Sequence, residues 1–360
     1  MDSIQKDLLL QIADLHGTPE GAFNIRGNGE SLGRNTTANI DIVTKTDGKE
    51  GIDIFIKPGT KNESVHIPVI ISKAGMQEVV YNDFYIGEGA DVVIVAGCGI
   101  HNCGGVDTTS RHDGVHTFYV GKNAKVKYVE KHYGEGDGNG KNVMNPETVV
   151  HLDEGASMEM ETTQIKGIDS TKRLTKADMK SGANFVVKEK LYTHGKQIAD
   201  TDFVIDMNGE NCRADVMSRS VAAGESLQRF VSTMNGNAPC HGHTECDAII
   251  MDKAAVTAAP CTTWAKVMTS VQQMPSCSVV SWRLSLMQYL RALRAASNSS
   301  ERFCKRSTSS ANLAAGSTSL VAESTASVRV LNRRAESAEA RAVWTMDLAK
   351  VLRYVSVSFS

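Results

Sequence analysis

The sequence predicts a mainly β protein built as a parallel β-helix, a solenoid in which short strands stack coil upon coil. Between residues 50 and 260 there is little helical periodicity, and a turn-and-strand pattern recurs instead. Aromatic residues make up only 6% of the chain, which suits a narrow core of Val, Ile, Ala and Met. A two-sheet sandwich is the alternative that periodicity alone leaves open.

The first element is a short helix. Ile4, Leu8, Ile12 and Leu15 fall on one helical face, and Gly17 follows where a C-terminal cap belongs. Charged residues interrupt this stretch, so it does not read as a signal peptide. No run of about 18 uncharged apolar residues follows that would span a membrane. We therefore expect a cytoplasmic protein whose 8 Cys are reduced, with residues 1–45 as a helical and extended N-terminal segment.

The repeated unit is an apolar residue, a Gly or Asn turn, a small residue and then alternating apolar positions. It reads IGEGADVVIVA, VGKNAKVKYVE, LDEGASMEMET and MKSGANFVVKE, with the small residues at Ala90, Ala124, Ala156 and Ala183. Alternation after a tight turn predicts half-buried strands, and stacking such units builds one continuous core. We assign residues 46–260 to this β-helix core.

The composition changes abruptly near residue 260. Residues 261–360 carry 13 Lys and Arg against 5 Asp and Glu, although the whole chain has a net charge of -2. All 3 Trp lie in this part, whereas 29 of the 30 Gly precede it. This Ser-, Arg- and Ala-rich tail lacks a sustained apolar period, so we predict that it is disordered or partly helical.

The stretch CHGHTEC, residues 240–246, is the main candidate site. Its thiol and imidazole groups are soft ligands that suit zinc, copper(I) or iron–sulfur species. The candidate metal ligands are Cys240, His241, His243 and Cys246, and Glu245 completes the candidate cofactor-binding set with Cys240, His243 and Cys246. Residues of a strand alternate faces, so the competing interpretation is a polar turn with two half-buried thiols.

A second group of sulfur and imidazole side chains lies in residues 96–118. Its members are Cys98, His101, Cys103, His112 and His116. We interpret them as solvated turn residues. The alternative is a cupin-like metal-dependent enzyme that uses His112, His116 and also His151.

Other motifs exclude several functions. The glycine-rich loop of residues 133–142 lacks the spacing of a phosphate-binding loop, so we expect no nucleotide on this chain. Residues 160–177 carry basic side chains without interleaved aromatic residues, which predicts a solvated strand edge and argues against a nucleic-acid partner.

Long contiguous blocks resemble the SufB/SufD family of iron–sulfur cluster assembly proteins, in particular its short members from anaerobic bacteria and archaea. The blocks include AGCGIHN, HDGVHTFYVGKNAKVKYVEKHYGEG, MNPETVVHLDEGASMEMETTQIKGIDSTKR and CHGHTECDAIIMDKAAVTAAP, and the resemblance covers about residues 1–260. It implies a right-handed parallel β-helix that acts as an assembly scaffold without enzymatic turnover. It also implies a transient iron–sulfur cluster, a SufC-type ABC ATPase, apo iron–sulfur proteins as recipients, and pairing with itself or a sister subunit. A purely structural β-helix subunit is a further alternative.

Two departures from the family pattern stand out. Longer SufB proteins carry a cysteine nine residues after the Cys-Asp pair, and that count from Cys246 reaches Ala255. The resemblance then stops at Pro260, where the family continues into a helical domain. Because the composition changes at the same residue, we hypothesise that the tail is read from a shifted frame or a misjoined gene, which the coding DNA would test.

Overall fold

In the computed structural model, the described residues are 1–136, 138–264 and 274–281. They contain one helix, α1 (Ser3–Ala13), and 20 strands that are distributed over two sheets. The first sheet consists of β1 (Ala22–Gly27), β2 (Glu30–Asn35), β5 (Lys61–Ile71), β7 (Asp91–Asn102), β9 (Lys125–Gly136), β12 (Ser157–Lys166), β14 (Asn184–Thr193), β16 (Arg213–Ala222), β18 (His241–Ile250) and β20 (Met274–Ser281). The second consists of β3 (Ile40–Thr44), β4 (Gly51–Ile56), β6 (Gln77–Ile86), β8 (Thr109–Val120), β10 (Lys141–Met144), β11 (Glu147–Leu152), β13 (Ser170–Met179), β15 (Ile198–Met207), β17 (Leu227–Gly236) and β19 (Ala255–Trp264).

From β4 onward, the chain alternates between the two sheets, with the short strands β10 and β11 together taking the place of one strand in the second sheet. Each strand pairs in parallel with the strands one coil before and one coil after it, so the described residues form a parallel β-helix of about 7 turns. Only the β1–β2 and β3–β4 pairs within the described part are antiparallel. The predicted fold class is thus confirmed, and the sandwich is excluded because its strands would pair antiparallel. The strands begin at Ala22, ahead of the boundary that the sequence suggested at residue 46.

The small residues of the predicted repeat stand above one another. Ala90, Ala124, Ala156 and Ala183 are all fully buried at the turn that precedes a strand of the first sheet. The backbone carbonyl of each accepts a hydrogen bond from the residue after its counterpart in the next coil, at 2.7 to 2.9 Å. Small side chains suit this position, because successive strands stack only about 4.8 Å apart. This row is hereafter the small-residue column.

Helix α1 packs on the outer face of the first sheet. The Asp2 side chain caps it and forms a capping box with Gln5. Its buried residues include Leu8, Leu9 and Ile12, which cluster with Phe23 and Ile25 of β1. Within the described residues, no helix is long and apolar enough to cross a membrane.

Gly97 of β7 allows the helix to approach this closely. A Cβ atom at Gly97 would lie 2.8 Å from the Lys131 carbonyl oxygen and 2.9 Å from the Ile12 carbonyl oxygen. We therefore expect Gly97→Ala to lower the free energy of unfolding by about 1–3 kcal/mol, as overpacking does. It should also accelerate amide hydrogen exchange in residues 3–13, measured by mass spectrometry.

A matched control for that substitution is Gly105→Ala, because nothing lies within 4 Å of the added Cβ there. The control should leave both the unfolding midpoint and the exchange rate of α1 unchanged. Equal exchange of the helix in Gly97→Ala and in the unmodified protein would contradict this account of the glycine.

The predicted tail, residues 261–360, lies outside the described residues apart from the end of β19 and the strand β20. The described residues all belong to one compact unit, residues 1–281.

Candidate functional site

The candidate stretch 240–246 comprises the turn residue Cys240 and the first six residues of β18, the last strand but one of the first sheet. Along this strand His243 and Glu245 point outward and are partly exposed, whereas Cys246 points into the core and is 2% exposed. His241 is exposed at the start of the strand. The alternation of the strand therefore places the imidazole and carboxylate groups on one face and the Cys246 thiol on the other.

The outward side chains of β18 contact charged partners on β16. Asp215 is in direct register with His243, and its Oδ1 lies 2.8 Å from Nδ1 of the imidazole. Arg219 donates from Nη2 to Oε1 of Glu245 at 3.4 Å, and its Nε lies 3.8 Å from Oδ2 of Asp247. This outer-face group therefore offers one imidazole and three carboxylates, the ligand types that bind iron and other divalent metals.

Cys212 and then Cys240 occupy the two positions that follow Ala183 in the small-residue column. The backbone carbonyl of Ala183 accepts from Arg213, and that of Cys212 accepts from His241, so Cys212 and Cys240 follow Ala183 in successive coils. Burial, and then the neighbouring Cys212 thiol, raise the pKa of Cys240 to about 11. Burial also raises the pKa of Cys212, whose thiol donates to the Lys180 carbonyl oxygen at 2.9 Å. A metal that binds here must displace the proton, since the thiolate is the ligand.

The structure does not bring the predicted ligands to one point. Within the described residues, no group of three or more His, Cys, Asp and Glu side chains is arranged to hold a metal ion. Cys246 and the pair His243 and Glu245 lie on opposite faces of the same strand, and Cys240 lies at the turn before it. One chain therefore offers an outer imidazole–carboxylate group and inner thiols, and a four-ligand site needs a rearrangement or a second chain.

The second sequence cluster separates into interior and surface residues. Cys98, His112 and His116 point into the solenoid and are 1%, 6% and 7% exposed. The prediction that they are solvated turn residues is wrong, because β7 and β8 are strands and these positions belong to their inward phase. His101 and Cys103, at and beyond the end of β7, do lie at the surface.

The cupin-like alternative does not fit this geometry. A cupin is a jelly roll of antiparallel strands, whereas these strands pair in parallel. Moreover, His151 lies on the outer face, where its ring stacks on Tyr119 at 5.2 Å, while His112 and His116 point inward. The three imidazoles therefore cannot share one metal ion.

An interior polar network is the main feature that sequence reasoning missed. Glu130, Thr162, Glu189, Ser218 and Cys246 occupy one inward position in five successive coils of the first sheet, and this row is hereafter the interior column. The Ser218 hydroxyl donates to Oε2 of Glu189 at 2.6 Å. A polar column inside a solenoid is costly unless its charges are paired, and both carboxylates are: Glu189 accepts from Ser218 and Glu130 accepts from Arg173.

Arg173 of β13 neutralises this network from the opposite sheet. It is 3% exposed, its Nη1 donates to Oε2 of Glu130 at 2.5 Å, and its Nε lies 4.0 Å from Oε1 of Glu189. Burial opposes ionisation of Glu130, but Arg173 and then His132 hold the pKa of that carboxyl well below its usual range. The expectation of a solvated strand edge at 160–177 is wrong here, because β12 and β13 are interior strands of their sheets.

The class of protein that these features define is a parallel β-helix with thiols, imidazoles and buried charges distributed over its coils. The family profile described as SUF system FeS cluster assembly, SufBD core domain, matches residues 70–261. The chain therefore belongs to the SufBD family, which is involved in iron–sulfur cluster assembly.

Two archaeal relatives are similar to the chain over 59% of its length. An iron–sulfur cluster assembly SufBD family protein of Methanocaldococcus jannaschii is 26% identical over 217 residues, which are 59% of this chain and 67% of the relative. A protein of the same description from Archaeoglobus fulgidus is 23% identical over 214 residues, 59% of this chain and 55% of the relative. The likeness thus spans only part of each relative's length.

Proposed function

We propose that this chain is a scaffold component of the SUF machinery, on which iron–sulfur clusters are built for transfer to apo iron–sulfur proteins. The observation that carries this proposal is the SufBD core match over residues 70–261, which includes the candidate stretch 240–246. In this proposal the chain works in the cytoplasm and has no catalytic turnover. A SufC-type ABC ATPase subunit supplies the nucleotide chemistry.

The nascent cluster, as cargo, contacts the stretch from Cys240 to Cys246 in this proposal. His243 and Glu245 stand on the outer face beside Asp215, where a second protein can reach them. Since one chain does not present four convergent ligands within the described residues, we propose that a second copy or a sister SufB/SufD-like subunit completes the site. The inner thiols of Cys240 and Cys246 join only after deprotonation, which burial disfavours at Cys240.

The test is anaerobic reconstitution of the full chain with iron and sulfide, followed by visible absorption and by metal and sulfide analysis. We expect a cluster absorption band that Cys240→Ala and Cys246→Ala each reduce to about a tenth, as loss of a metal-site residue does. His243→Ala with Glu245→Ala should weaken it similarly without disturbing the fold, since both side chains lie on the outer face.

His151→Ala is the matched control, because this imidazole is also outward-facing but lies on the second sheet. It should leave the band unchanged. A featureless spectrum from correctly folded protein would contradict cluster binding by this chain. If the protein also retained an ABC ATPase in a pull-down, the interpretation of the chain as a purely structural β-helix subunit would replace the present proposal.

A further inference from the structure

Cys103, His101 and Glu135 form a hydrogen-bonded chain at the surface where β7 and β9 end. The Cys103 Sγ atom lies 3.0 Å from Nε2 of His101. The other ring nitrogen, Nδ1, lies 2.9 Å from Oε1 of Glu135. A thiol, an imidazole and a carboxylate in this order are the nucleophile, base and orienting group of enzymes that use an activated cysteine.

The register of the solenoid positions the imidazole and the carboxylate. His101 is the direct partner of Glu135 in the β7–β9 pair, so two outward side chains stand one coil apart. A carboxylate only accepts hydrogen bonds, so Nδ1 of His101 carries the proton and donates it to Glu135. Nε2 is then left free to accept the proton of the Cys103 thiol.

Neighbouring residues hold this arrangement in place. The Asn102 side chain is 1% exposed, and its Oδ1 accepts from the Gly104 backbone N–H at 3.0 Å, which fixes the turn that carries Cys103. The Tyr133 hydroxyl donates to Oε2 of Glu135 at 3.3 Å and accepts from Lys166 Nζ at 3.0 Å. Both oxygens of the Glu135 carboxylate are therefore engaged, so its position relative to His101 is defined.

Cys103 differs from the other thiols that the structure describes. It is exposed, whereas Cys98, Cys212 and Cys246 are buried and Cys240 is half-buried. Burial raises the pKa of Cys98 well above its usual range and also raises the pKa of Cys212 and Cys240. Buried protonated thiols are inert, while an exposed thiol beside an imidazole is the type that reacts.

We propose that Cys103 is a nucleophilic thiol, with His101 as its base and Glu135 as a positioning residue, and that it accepts sulfane sulfur from persulfides. The inference rests on the proposed function, because a chain that builds iron–sulfur clusters needs a supply of sulfur.

The transfer balances without an external oxidant or reductant. Nε2 of His101 takes the Sγ proton, and the Cys103 thiolate attacks the outer sulfur of the donor persulfide R–S–S⁻. A new S–S bond forms at Cys103 while the S–S bond of the donor breaks, and the electron pair leaves with R–S⁻. The imidazolium then returns the proton to this leaving thiolate, and Cys103 retains the persulfide.

The test uses the full chain with glutathione persulfide as the sulfur donor and iodoacetamide as an independent thiol probe. We expect peptide mass spectrometry to show the gain of one sulfur atom at Cys103. His101→Gln should slow both reactions about 100-fold, the usual contribution of a general base. Glu135→Gln should slow them less and move the pH profile of alkylation to higher pH, a change that a merely structural role would not cause.

The matched control is Cys212→Ala, because alanine is the residue that the small-residue column carries at Ala183, one coil earlier. It should leave labelling of Cys103 unchanged. Equal rates in His101→Gln and in the unmodified protein, or sulfur found at Cys98 and not at Cys103, would overturn the inference. Cys103→Ser should still yield a cluster when inorganic sulfide is supplied, so the inference and the proposed function can fail separately.

Discussion

Replacing Arg173 by methionine is expected to lower the free energy of unfolding by about 3–5 kcal/mol, the usual cost of removing one partner of a buried ion pair. The change should be measured as a shift of the urea unfolding midpoint, followed by circular dichroism. Methionine fills a similar volume, so the loss reports the missing charge more than a cavity.

The size of this effect follows from what Arg173 leaves behind. Glu130 and Glu189 are 3% and 5% exposed, and Arg173 is the cation that lies within 4.0 Å of both. Without it, Glu130 retains hydrogen bonds from the Tyr128 hydroxyl, at 3.0 Å, but its charge has lost its principal counterion. A buried carboxylate in that position either stays ionised at high cost or takes up a proton.

The exposed neighbour Lys172 provides the matched control on the same strand. Lys172→Met should change stability by less than about 0.5 kcal/mol, as most surface substitutions do. Adding Glu130→Gln to Arg173→Met should restore part of the loss, because it removes the unpaired charge. If Arg173→Met were as stable as Lys172→Met, the ion pair would not be a major contributor to the fold.

The fold was predictable because the coil repeats a local pattern. The turn and the small residue at Ala90, Ala124, Ala156 and Ala183 mark the beginning of four coils, and all four side chains are fully buried. Because the number of residues per coil varies, the remaining strands are not visible as a regular repeat in the sequence. Between β9 and β12, for example, the second sheet is built from two short strands, β10 and β11, with a break at residues 145–146.

The site was less predictable, because its contacts join residues one coil apart. His101 and Glu135 are separated by 34 positions, the same spacing as Ala90 and Ala124. The repeat therefore contains the information needed to pair them, once it is known which residues of each strand point inward and which point outward. The same phase would have placed Arg173 inside. Ala177 and Met179 of β13 are buried, and both lie an even number of residues after Arg173 on the same strand.

The candidate stretch 240–246 shows the limit of spacing as a guide. Short spacing suggested a shared metal, but a strand sends His243 and Cys246 to opposite faces. The position of Cys240 in the small-residue column favours a packing role for its thiol, alongside any contact with cargo.

His116 should make the protein less stable in mild acid. Burial lowers the pKa of His116 from its ordinary value of 6.5 to about 4. In the folded protein Asn82 Nδ2 lies 3.2 Å from Nε2, and Nδ1 lies 2.8 Å from the Tyr128 hydroxyl, which itself donates to Glu130. That order of donors requires a neutral ring, because Nε2 must accept from the Asn82 amide.

The sign of the effect follows from proton uptake. Between pH 6.5 and about 4 the unfolded chain binds a proton at His116 that the folded chain does not bind, so stability falls as the pH is lowered through this window. The stabilisation is fully present above pH 6.5, and a shift of this size corresponds to a loss of about 3 kcal/mol by pH 4.

The test is urea unfolding of both proteins at pH 7 and pH 4. Between these pH values, we expect the free energy of unfolding to fall by about 3 kcal/mol less in His116→Gln than in the unmodified protein. His151→Ala should retain the full dependence, since this ring lies on the outer face. The same pH dependence in His116→Gln as in the unmodified protein would mean that the buried imidazole is not the group that titrates, because every other ionisable residue is common to both chains.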